Sequence, residues 1–307
     1  MAEVDTGMST IATQTAGQYL ERLREQVDEE LGLLLPAPDA FPNSIHRAMR
    51  HSVFAGGKRL RPILCIETGK LFGCGHASLR RRACGLEMIH TYSLIHDDLP
   101  ALDDDDLRRG KPTCHRVFGE DIAILAGDAL LTLAFEVMAA PGEPNDTLKL
   151  RAIYELSQAI GTRNGMVSGQ VADLEAEEGK VDAARIEYIH AAKTGALIRT
   201  AARMGALYAG ASEADLDRVT RYGEKVGLAF QIADDLLDVL SSTEALGKTA
   251  GKDRDQHKAT YPALYGVEDS RRRASELAGE ACAALEPYGE RAQRLRDLAY
   301  YLVERTY

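Results

Sequence analysis

Two clusters of aspartates, each next to apolar residues with helical spacing, restrict the folds open to this chain. The first lies between Met88 and Arg116, where six carboxylates fall within ten residues behind an apolar helical face. Pro100 predicts a helix end near Leu99, because proline donates no N–H and disfavours helical geometry before it. Asp97 and Asp98 then lie in the last turn, where the helix dipole makes an acid unfavourable by about 0.3–1 kcal/mol. A bound cation would reverse that sign.

The second cluster lies inside an apolar-periodic stretch from Leu216 to Leu240. Asp234 and Asp238 are four residues apart and Asp235 and Asp238 are three apart, so a helix is expected to place all three on one face. Like charges repel there unless a partner neutralises them. Taken alone, the first cluster is typical of a solvated acidic loop, whereas the second lies among large apolar residues and needs a partner. Two clusters on separate helices favour instead several Mg²⁺ ions held together with a diphosphate.

Basic residues accompany the acidic clusters. The turn from Gly56 to Pro62 carries Lys58 and Arg61, and Pro62 is expected at the first position of the next helix. Cations at a glycine-containing turn before a helix suit phosphate groups, and a solvated basic turn is the alternative. His90, in the apolar segment before the first cluster, is by itself most often a core histidine.

The spacing of the two clusters resembles a known pair of motifs. Asp97-Asp98-x-x-x-x-Asp103 and Asp234-Asp235-x-x-Asp238 are similar to the two aspartate motifs of the trans-isoprenyl diphosphate synthases. The resemblance extends to four shorter strings, which are Gly57–Pro62, Leu107–Pro112, Lys193–Gly195 and Phe230–Gln231. Their order and spacing cover residues 20–305, and the likeness is strongest to bacterial members that make farnesyl diphosphate.

The resemblance implies a prenyltransferase that joins isopentenyl diphosphate head to tail to dimethylallyl or geranyl diphosphate, through an allylic cation. It implies three Mg²⁺ ions per site, held by Asp97, Asp98, Asp103, Asp234, Asp235 and Asp238. Isopentenyl diphosphate is expected at Gly57, Lys58, Arg61, His90 and Arg109. The allylic diphosphate is expected at Arg108, Lys193, Thr194, Gln231, Lys248 and Lys258. Lys193, Thr194 and Gln231 are also the expected catalytic residues, Thr194 and Gln231 because their dipoles stabilise the cation. The departing pyrophosphate accepts the proton.

Two residues on the helix that precedes the first motif, Tyr92 and Ser93, are expected to limit product length. Ser93 lies one helical turn before Asp97 on nearly the same face, and Tyr92 lies beside it. In the resembled family, bulk at these positions limits elongation. The resemblance therefore implies a fifteen-carbon product, (2E,6E)-farnesyl diphosphate, with twenty-carbon geranylgeranyl diphosphate as the alternative. An ordinary core aromatic is the other interpretation of Tyr92.

Two further functions compete with the synthase. A class I terpene cyclase shares an all-α fold and the first motif, but its second metal motif uses Asn, Ser and Glu ligands. An inactive subunit of a heteromeric synthase, or a helical scaffold, is the non-enzymatic alternative. Such subunits typically lose aspartate motifs, and this chain has both. The motifs therefore favour the synthase.

The composition is that of an ordinary globular protein, with 45% apolar and 27% charged residues. A net charge of −10 argues against a nucleic-acid partner. The five cysteines are scattered without a C-x-x-C pair, which predicts reduced thiols and a cytoplasmic location. Cys74-Gly-His76 and Cys114-His115 are too isolated to predict zinc. A homodimer is expected from the family resemblance.

The expected fold is a single domain from 17 to 307, after a disordered segment from 1 to 16. It is an all-α bundle of ten or more helices around a deep central pocket, the isoprenoid synthase type I fold of the resembled family. The predicted helices include Gln18–Leu35, Ser44–Ala55, Ala77–Leu99, Asp121–Ala140, Leu148–Ile160, Val167–Glu178, Ala183–Ala192 and Leu216–Leu240. Asp128 and Glu136 interrupt the most apolar segment, Ile122–Ala140, so a central buried helix is expected and not a membrane span. Thr243–His257 is expected to be a mobile loop, and no strand is expected.

Overall fold

The structure is a computed structural model that describes residues 16–142, 144–177, 182–246 and 260–304. Residues 1–15, most of the predicted loop Thr243–His257, and the lysines Lys248 and Lys258 lie outside the described residues. The predictions for them therefore stay predictions.

Helices make up nearly all of the described chain, which confirms the all-α prediction. The first seven are α1 (Ala16–Leu34), α2 (Asn43–Val53), α3 (Leu60–Leu71), α4 (His76–Asp97), α5 (Cys114–Phe118), α6 (Glu120–Ala139) and α7 (Asp146–Ile160). The others are α8 (Met166–Glu177), α9 (Ala183–Ile189), α10 (Ala196–Tyr208), α11 (Glu213–Leu246), α12 (Tyr261–Tyr265), α13 (Val267–Ala284) and α14 (Gln293–Glu304). A π-helix (His190–Gly195) joins α9 to α10, and a 3₁₀ helix (Glu286–Ala292) precedes α14.

The bundle is built around α3, α4, α10 and α11. α4 packs against α6 and α3, α3 packs against α10, and α10 packs against α11, which in turn packs against α13. Ile63, Ile89 and Val226 are almost completely buried in this core. Tyr222 is also fully buried, and its hydroxyl donates to the carbonyl oxygen of Leu295 over 2.8 Å, which links α11 to α14. This packing surrounds one central space with α3, α4, the π-helix and α11.

Several predicted boundaries are corrected. α3 begins at Leu60, so Pro62 is its third residue and not its first. The Lys193-Thr194-Gly195 string does not break the helical path from α9 to α10, since it lies in the π-helix that joins them. α11 continues to Leu246 and so occupies the first residues of the predicted loop.

A short hairpin was not predicted from the sequence. Strand β1 (Leu107–Arg108) pairs antiparallel with β2 (Lys111–Pro112). Arg109 and Gly110 form its turn, with φ values of 54° and 75°. Strands of two residues are too short for period-2 alternation to be visible in the sequence. Pro262, whose place was unclear from the sequence, lies in the first turn of α12, which the Thr260 hydroxyl caps.

By length and composition, α6 could cross a membrane, with a mean hydropathy of 1.9 over its most apolar window. In the bundle it packs against α4, α2 and α5, and Leu130 and Ala134 are fully buried. Ile124 and Leu125 on its other side are 44% and 51% exposed. α6 is thus an apolar bundle helix that is buried on one face only, which corrects the prediction of a central buried helix.

Candidate active site

A cavity of ≈ 600 Å³ occupies the centre of the bundle. It brings together residues from both predicted diphosphate sites and from the second aspartate cluster. Its lining includes Gly57, Lys58, Arg61, His90, Arg108, Arg109, Thr194, Gln231 and Asp234. A second, more apolar cavity of ≈ 320 Å³ adjoins it and shares Arg61, His90, Leu94 and Thr194. The spacing of motifs in the sequence therefore corresponds to one continuous site.

Arg61 on α3 is 7% exposed, and its Nε has no hydrogen-bond partner among the described residues. Burial lowers the pKa of its guanidinium to about 10, and nearby Glu87 and Asp234 oppose that change. A buried donor without a partner is costly, typically by about 1–3 kcal/mol and more for a charged group. Arg61 is therefore built to receive an anion from the cavity.

His90 on α4 faces the same cavity and is not a core histidine. Burial, together with the positive charges of Arg61 and Arg109, lowers its pKa well below the ordinary value. The imidazole is therefore neutral at physiological pH. It adds a hydrogen bond to a ligand without adding to the charge of the arginines.

Arg109 lies in the hairpin turn and reaches across to the Gly56–Gly57 segment. Its guanidinium donates to the carbonyl oxygen of Gly56. Gly57 has a φ of 133°, and a Cβ there would lie 3.0 Å from the Cζ of Arg109. Only glycine combines this backbone conformation with so close an approach. Gly57 thus places Arg109 next to Lys58 at the mouth of the cavity.

Arg59 was not singled out from the sequence, and its environment differs from that of Lys58 and Arg61. It is 2% exposed and has a left-handed backbone, with φ 51° and ψ 34°. Its Nε lies 2.7 Å from Asp28, its Nη1 lies 2.8 Å from Glu87, and its Nη2 donates to the carbonyl of Val53 over 2.7 Å. The sequence gives no sign of this, because the two carboxylates are on other helices. Arg59 supports the turn that carries the binding cations.

The first aspartate cluster lies where α4 ends. Asp97 is the last residue of the helix and Asp98 is its cap, as predicted. Burial raises the pKa of Asp97 to about 6, with Lys193 opposing the change and Asp103 adding to it. The backbone N–H of Asp103 donates to the carbonyl of Asp97 over 2.8 Å, so the following loop folds back onto the helix end. This places Asp103 beside Asp97.

Asp98 has a cationic partner within the protein. The Nη2 and Nε of Arg108 lie 2.5 Å and 2.6 Å from its Oδ1. Arg108 also lies 3.4 Å from Asp105. Arg108 thus neutralises charge in the acidic loop. To contact an allylic diphosphate, as predicted, it must break one of these ion pairs or share its N–H groups between the carboxylate and the phosphate.

In the second cluster the structure separates residues that the sequence placed on one face. Asp234 lines the central cavity, and burial together with Asp238 raises its pKa to about 7. Asp235 instead accepts the backbone N–H of Tyr261 over 2.9 Å and lies 3.3 Å from the Nε2 of His190. Asp235 thus has two partners outside the central cavity, and its expected role as a metal ligand stays a prediction. Asp238 lines a smaller cavity of ≈ 190 Å³ next to Lys193 and Asp235.

Lys193 and Thr194 are presented by the π-helix, a local widening that often occurs at functional sites. The Nζ of Lys193 lies 2.7 Å from Asp173 on α8. Burial acts to lower the pKa of Lys193, but the carboxylate of Asp173 more than offsets this and raises it. α8 approaches closely because residue 169 is glycine, where a Cβ would lie 2.6 Å from the Cα of Lys193. Asp173 was missed from the sequence, since no local pattern marks it.

The apolar cavity extends from Asp97 along α4 and is walled by α8. Its lining includes Tyr92, Ser93, His96, Met166, Val167, Gln170, Val171 and Leu174. The two residues predicted to limit product length therefore do face a cavity below the first aspartates. Val167 and Val171 are 40% and 49% exposed, so the cavity is open on the α8 side.

The oxygen donors suit Mg²⁺. Across the described ranges, no three carboxylate, imidazole or thiol groups converge closely enough to hold an ion by themselves. Mg²⁺ usually takes one or two carboxylates and completes its shell with water and substrate phosphates. Asp97 and Asp234 are half-buried carboxylates whose raised pKa values reflect the cost of carrying unneutralised charge. These residues fit ions that arrive together with a diphosphate.

The sequence model of one protein family, described as polyprenyl synthetase, matches residues 42–290 of this chain. This chain belongs to the polyprenyl synthetase family. Its membership makes it an enzyme that transfers prenyl groups, with the all-α isoprenoid synthase fold described above.

Relatives of the family cover the chain nearly end to end. A dimethylallyltranstransferase of Fischerella ambigua is 50% identical over 97% of this chain and 86% of its own length. A geranylgeranyl diphosphate synthase of Cyanophora paradoxa is 46% identical over 94% of this chain and 96% of its own. Among solved structures, an FPP/GFPP synthase from Zymomonas mobilis has a TM-score of 0.84 and 38% identity, covering 94% and 98% of the two chains.

Proposed function

We propose that this polyprenyl synthetase condenses isopentenyl diphosphate with an allylic diphosphate, in a Mg²⁺-dependent reaction that releases pyrophosphate. The observation that carries this is the central cavity. On one side it has a buried arginine, Arg61, whose Nε has no hydrogen-bond partner within the described part of the chain, with His90 and Arg109 beside it. On the other side Asp234 lines it, and Asp97 lines the adjoining apolar cavity. Both carboxylates are half-buried, and burial raises the pKa of each. One side is suited to a diphosphate directly, and the other to a diphosphate with metal ions.

In this proposal the cationic side binds isopentenyl diphosphate. Arg61 and Arg109 supply charge, Lys58 closes the mouth, and neutral His90 supplies a hydrogen bond. Arginine is suited to the role because its planar fork binds phosphate oxygens in pairs. The homoallylic double bond then extends towards Thr194 and Gln231, which line the same cavity.

The acidic side binds the allylic diphosphate. Bound Mg²⁺, three ions in this proposal, supplies positive charge that stabilises the departing pyrophosphate. The ammonium group of Lys193 adds positive charge beside the same diphosphate, and Arg108 gives up its contact with Asp98 to bind phosphate oxygens. Lys248 and Lys258 complete the site in this proposal. The hydroxyl of Thr194 and the amide of Gln231 offer dipoles to the allylic cation, and neither is a strong nucleophile.

An assay with isopentenyl diphosphate, dimethylallyl or geranyl diphosphate, and Mg²⁺ tests the proposal. Formation of prenyl diphosphates with release of pyrophosphate is expected. Cyclic hydrocarbon products from a single allylic diphosphate would favour a terpene cyclase instead. No turnover of either kind by folded protein would contradict the proposal.

Arg109→Lys is expected to raise KM for isopentenyl diphosphate more than KM for the allylic substrate. Lysine keeps the charge but loses the bidentate fork and the contact with the carbonyl of Gly56. A loss of about tenfold or more in kcat/KM for isopentenyl diphosphate is expected. Lys111→Arg is a matched control, since Lys111 is in the same hairpin but contacts the carbonyl of Phe54. Equal losses for both substrates in Arg109→Lys would show that the two sites are misassigned.

We propose geranylgeranyl diphosphate, with twenty carbons, as the end product. The name of the Cyanophora relative supports this, since it matches almost the full length of both chains. The open side of the apolar cavity at Val167 and Val171 also supports it, because Tyr92 alone does not close the path. Farnesyl diphosphate, predicted from the sequence, is the second candidate, and the position of Tyr92 in the cavity wall favours it.

Tyr92→Ala is expected to lengthen the product by at least one five-carbon unit. The substitution removes a buried ring from the cavity wall below Asp97, where a growing chain must pass. Chromatography measures the chain length of the product of the variant. The product of native enzyme in the same assay decides between fifteen and twenty carbons. Tyr208→Phe is a control for aromatic substitution, since Tyr208 is buried in α10 and lines neither of the two cavities. An unchanged product from Tyr92→Ala would place the limit elsewhere.

We also propose that the protein is a homodimer. The exposed apolar side chains on α5 and α6, Val117, Ile124 and Leu125, support a partner surface there. A hydrophobic helix face that is half exposed in a monomer is typical of an interface between subunits. Sedimentation equilibrium of native protein and of Ile124→Glu tests this, with a dimer for the first and a monomer for the second.

A further inference from the structure

A contact between α4 and α6 lies beside the apolar cavity and involves His96, the residue before Asp97. The Nε2 of His96 lies 3.1 Å from the carbonyl oxygen of Ile124 on α6. Its ring meets Tyr92 edge to face, with centroids 5.8 Å apart and planes at 75°. Both rings line the apolar cavity. His96 therefore lies between the tyrosine in the cavity wall and the backbone of α6.

The imidazole has this position only because residue 127 on α6 is glycine. A Cβ at Gly127 would lie 2.6 Å and 2.9 Å from the Cδ2 and Cε1 of His96. Non-bonded carbon atoms prefer about 3.5–4.0 Å, so a methyl group and the ring cannot both be there. Glycine inside a helix is destabilising relative to alanine, and this close approach explains why glycine is present here.

If residue 127 had a methyl group, the side chain of His96 would move before α6 does. Residue 127 belongs to a buried segment of α6 that packs along α4, whereas His96 is partly exposed and turns about two side-chain bonds. The imidazole of His96 has Tyr92 on one side and α6 on another, so the free space next to the imidazole is the apolar cavity. A methyl group at residue 127 would therefore displace the imidazole into that cavity.

We propose that Gly127 and His96 form a specificity-determining pair for product length. By holding the imidazole against α6, Gly127 keeps the space below Asp97 free for the prenyl chain. The pair also sets the position of the Tyr92 ring, which His96 supports from the α6 side. This inference rests on the proposed function, because it concerns the length of the product of that reaction.

Gly127→Ala tests the pair directly. The expected result is a roughly tenfold fall in the ratio of the native end product to the product one five-carbon unit shorter, since small changes in an apolar pocket have effects of this size. The first condensation is expected to continue, because the diphosphate sites are unchanged. His96→Ala is expected to have the opposite effect, with some product one unit longer than native.

The double variant Gly127→Ala with His96→Ala separates this explanation from a general packing defect. Without an imidazole to displace, the methyl group is expected to have no shortening effect. Gly85→Ala is the matched control, since a Cβ there would lie 2.8 Å from Met138 at the same helix pair but away from both cavities. It is expected to lower the melting temperature and leave the product ratio unchanged.

A native product ratio in Gly127→Ala, or in His96→Ala, would overturn the inference. Shortening that persists in the double variant, or that Gly85→Ala reproduces, would also overturn it. If Gly127→Ala does not fold, the His96→Ala result decides. Failure of native enzyme to make any prenyl diphosphate would contradict the proposed function itself, and the two failures are therefore distinguishable.

Discussion

Asp97→Asn is expected to lower kcat on the order of 10³-fold while the folded protein becomes slightly more stable. The loss in rate follows because the carboxylate is assigned to hold positive charge against the departing pyrophosphate, and such transition-state contacts have effects of this size. The gain in stability follows because Asp97 is a half-buried acid at the C-terminal end of α4, where burial raises its pKa. Removing its charge relieves an unfavourable dipole interaction of about 0.3–1 kcal/mol.

Three measurements check this prediction. Steady-state kinetics over a range of Mg²⁺ concentrations gives kcat, and urea unfolding without metal gives the free energy of unfolding. Calorimetric titration of Mg²⁺ with pyrophosphate present reports the lost ligand without reference to turnover. Asp234→Asn should lower kcat similarly, since Asp234 is the half-buried carboxylate on α11 whose pKa is raised in the same way.

Asp106→Asn is the matched control. Asp106 belongs to the same acidic cluster, but it is largely exposed and pairs with Arg116 at 3.0 Å. Its substitution is expected to leave kcat near the native value. Full activity of native enzyme in excess chelator, or an equal loss in Asp106→Asn and Asp97→Asn, would contradict the metal assignment.

Arg59→Ala is expected to lower the free energy of unfolding by about 3–5 kcal/mol. Arg59 and Glu87 are both about 2% exposed and lie 2.8 Å apart. Burial acts to lower the pKa of Arg59, but Glu87 and Asp28 more than offset it, so the arginine stays charged. Removing the guanidinium leaves the carboxylate of Glu87 buried without its partner, which is the costly step.

Urea unfolding followed by circular dichroism measures this loss. Arg151→Ala is the control, since Arg151 is 37% exposed and pairs with Glu213 at the surface, where about 0–1 kcal/mol is expected. The double variant Arg59→Leu with Glu87→Leu should recover part of the stability, because the Arg59–Glu87 pair is then removed as a whole. Recovery is expected to be incomplete, since Arg61 loses the nearby charge of Glu87. A loss below about 1 kcal/mol in Arg59→Ala would show that the pair is not a structural support.

The sequence determined the class of the fold and most of the helices. Helical apolar spacing, with prolines near the expected ends, is a local property, so α4, α6 and α11 were predicted to within a few residues at most of their ends. The aspartate motifs and basic strings likewise predicted many of the residues that line the central cavity and the apolar cavity beside it, since their chemical types and order are visible without the fold.

Tertiary structure alone decided which charged residues face a ligand and which face the protein. Arg59 and Arg61 are two residues apart, yet one is saturated by Asp28 and Glu87 and the other has a free donor at the cavity. Asp235 lines a different cavity from Asp234, and its carboxylate accepts the backbone N–H of Tyr261, 26 residues further along the chain. These partners lie on other helices, so no local pattern contains them.

The length of the product is also a tertiary property. Tyr92 and Ser93 were placed correctly below the first motif, but the space beside them depends on α8 and on the contact of His96 with Gly127. Gly127 and α8 are 30 or more residues away from Tyr92 and Ser93 in the chain. They come together only when α4 packs against α6 and α8 forms the cavity wall. The volume left for a prenyl chain is set by that packing, because close-packed side chains leave a cavity only where several helices together fail to fill the space.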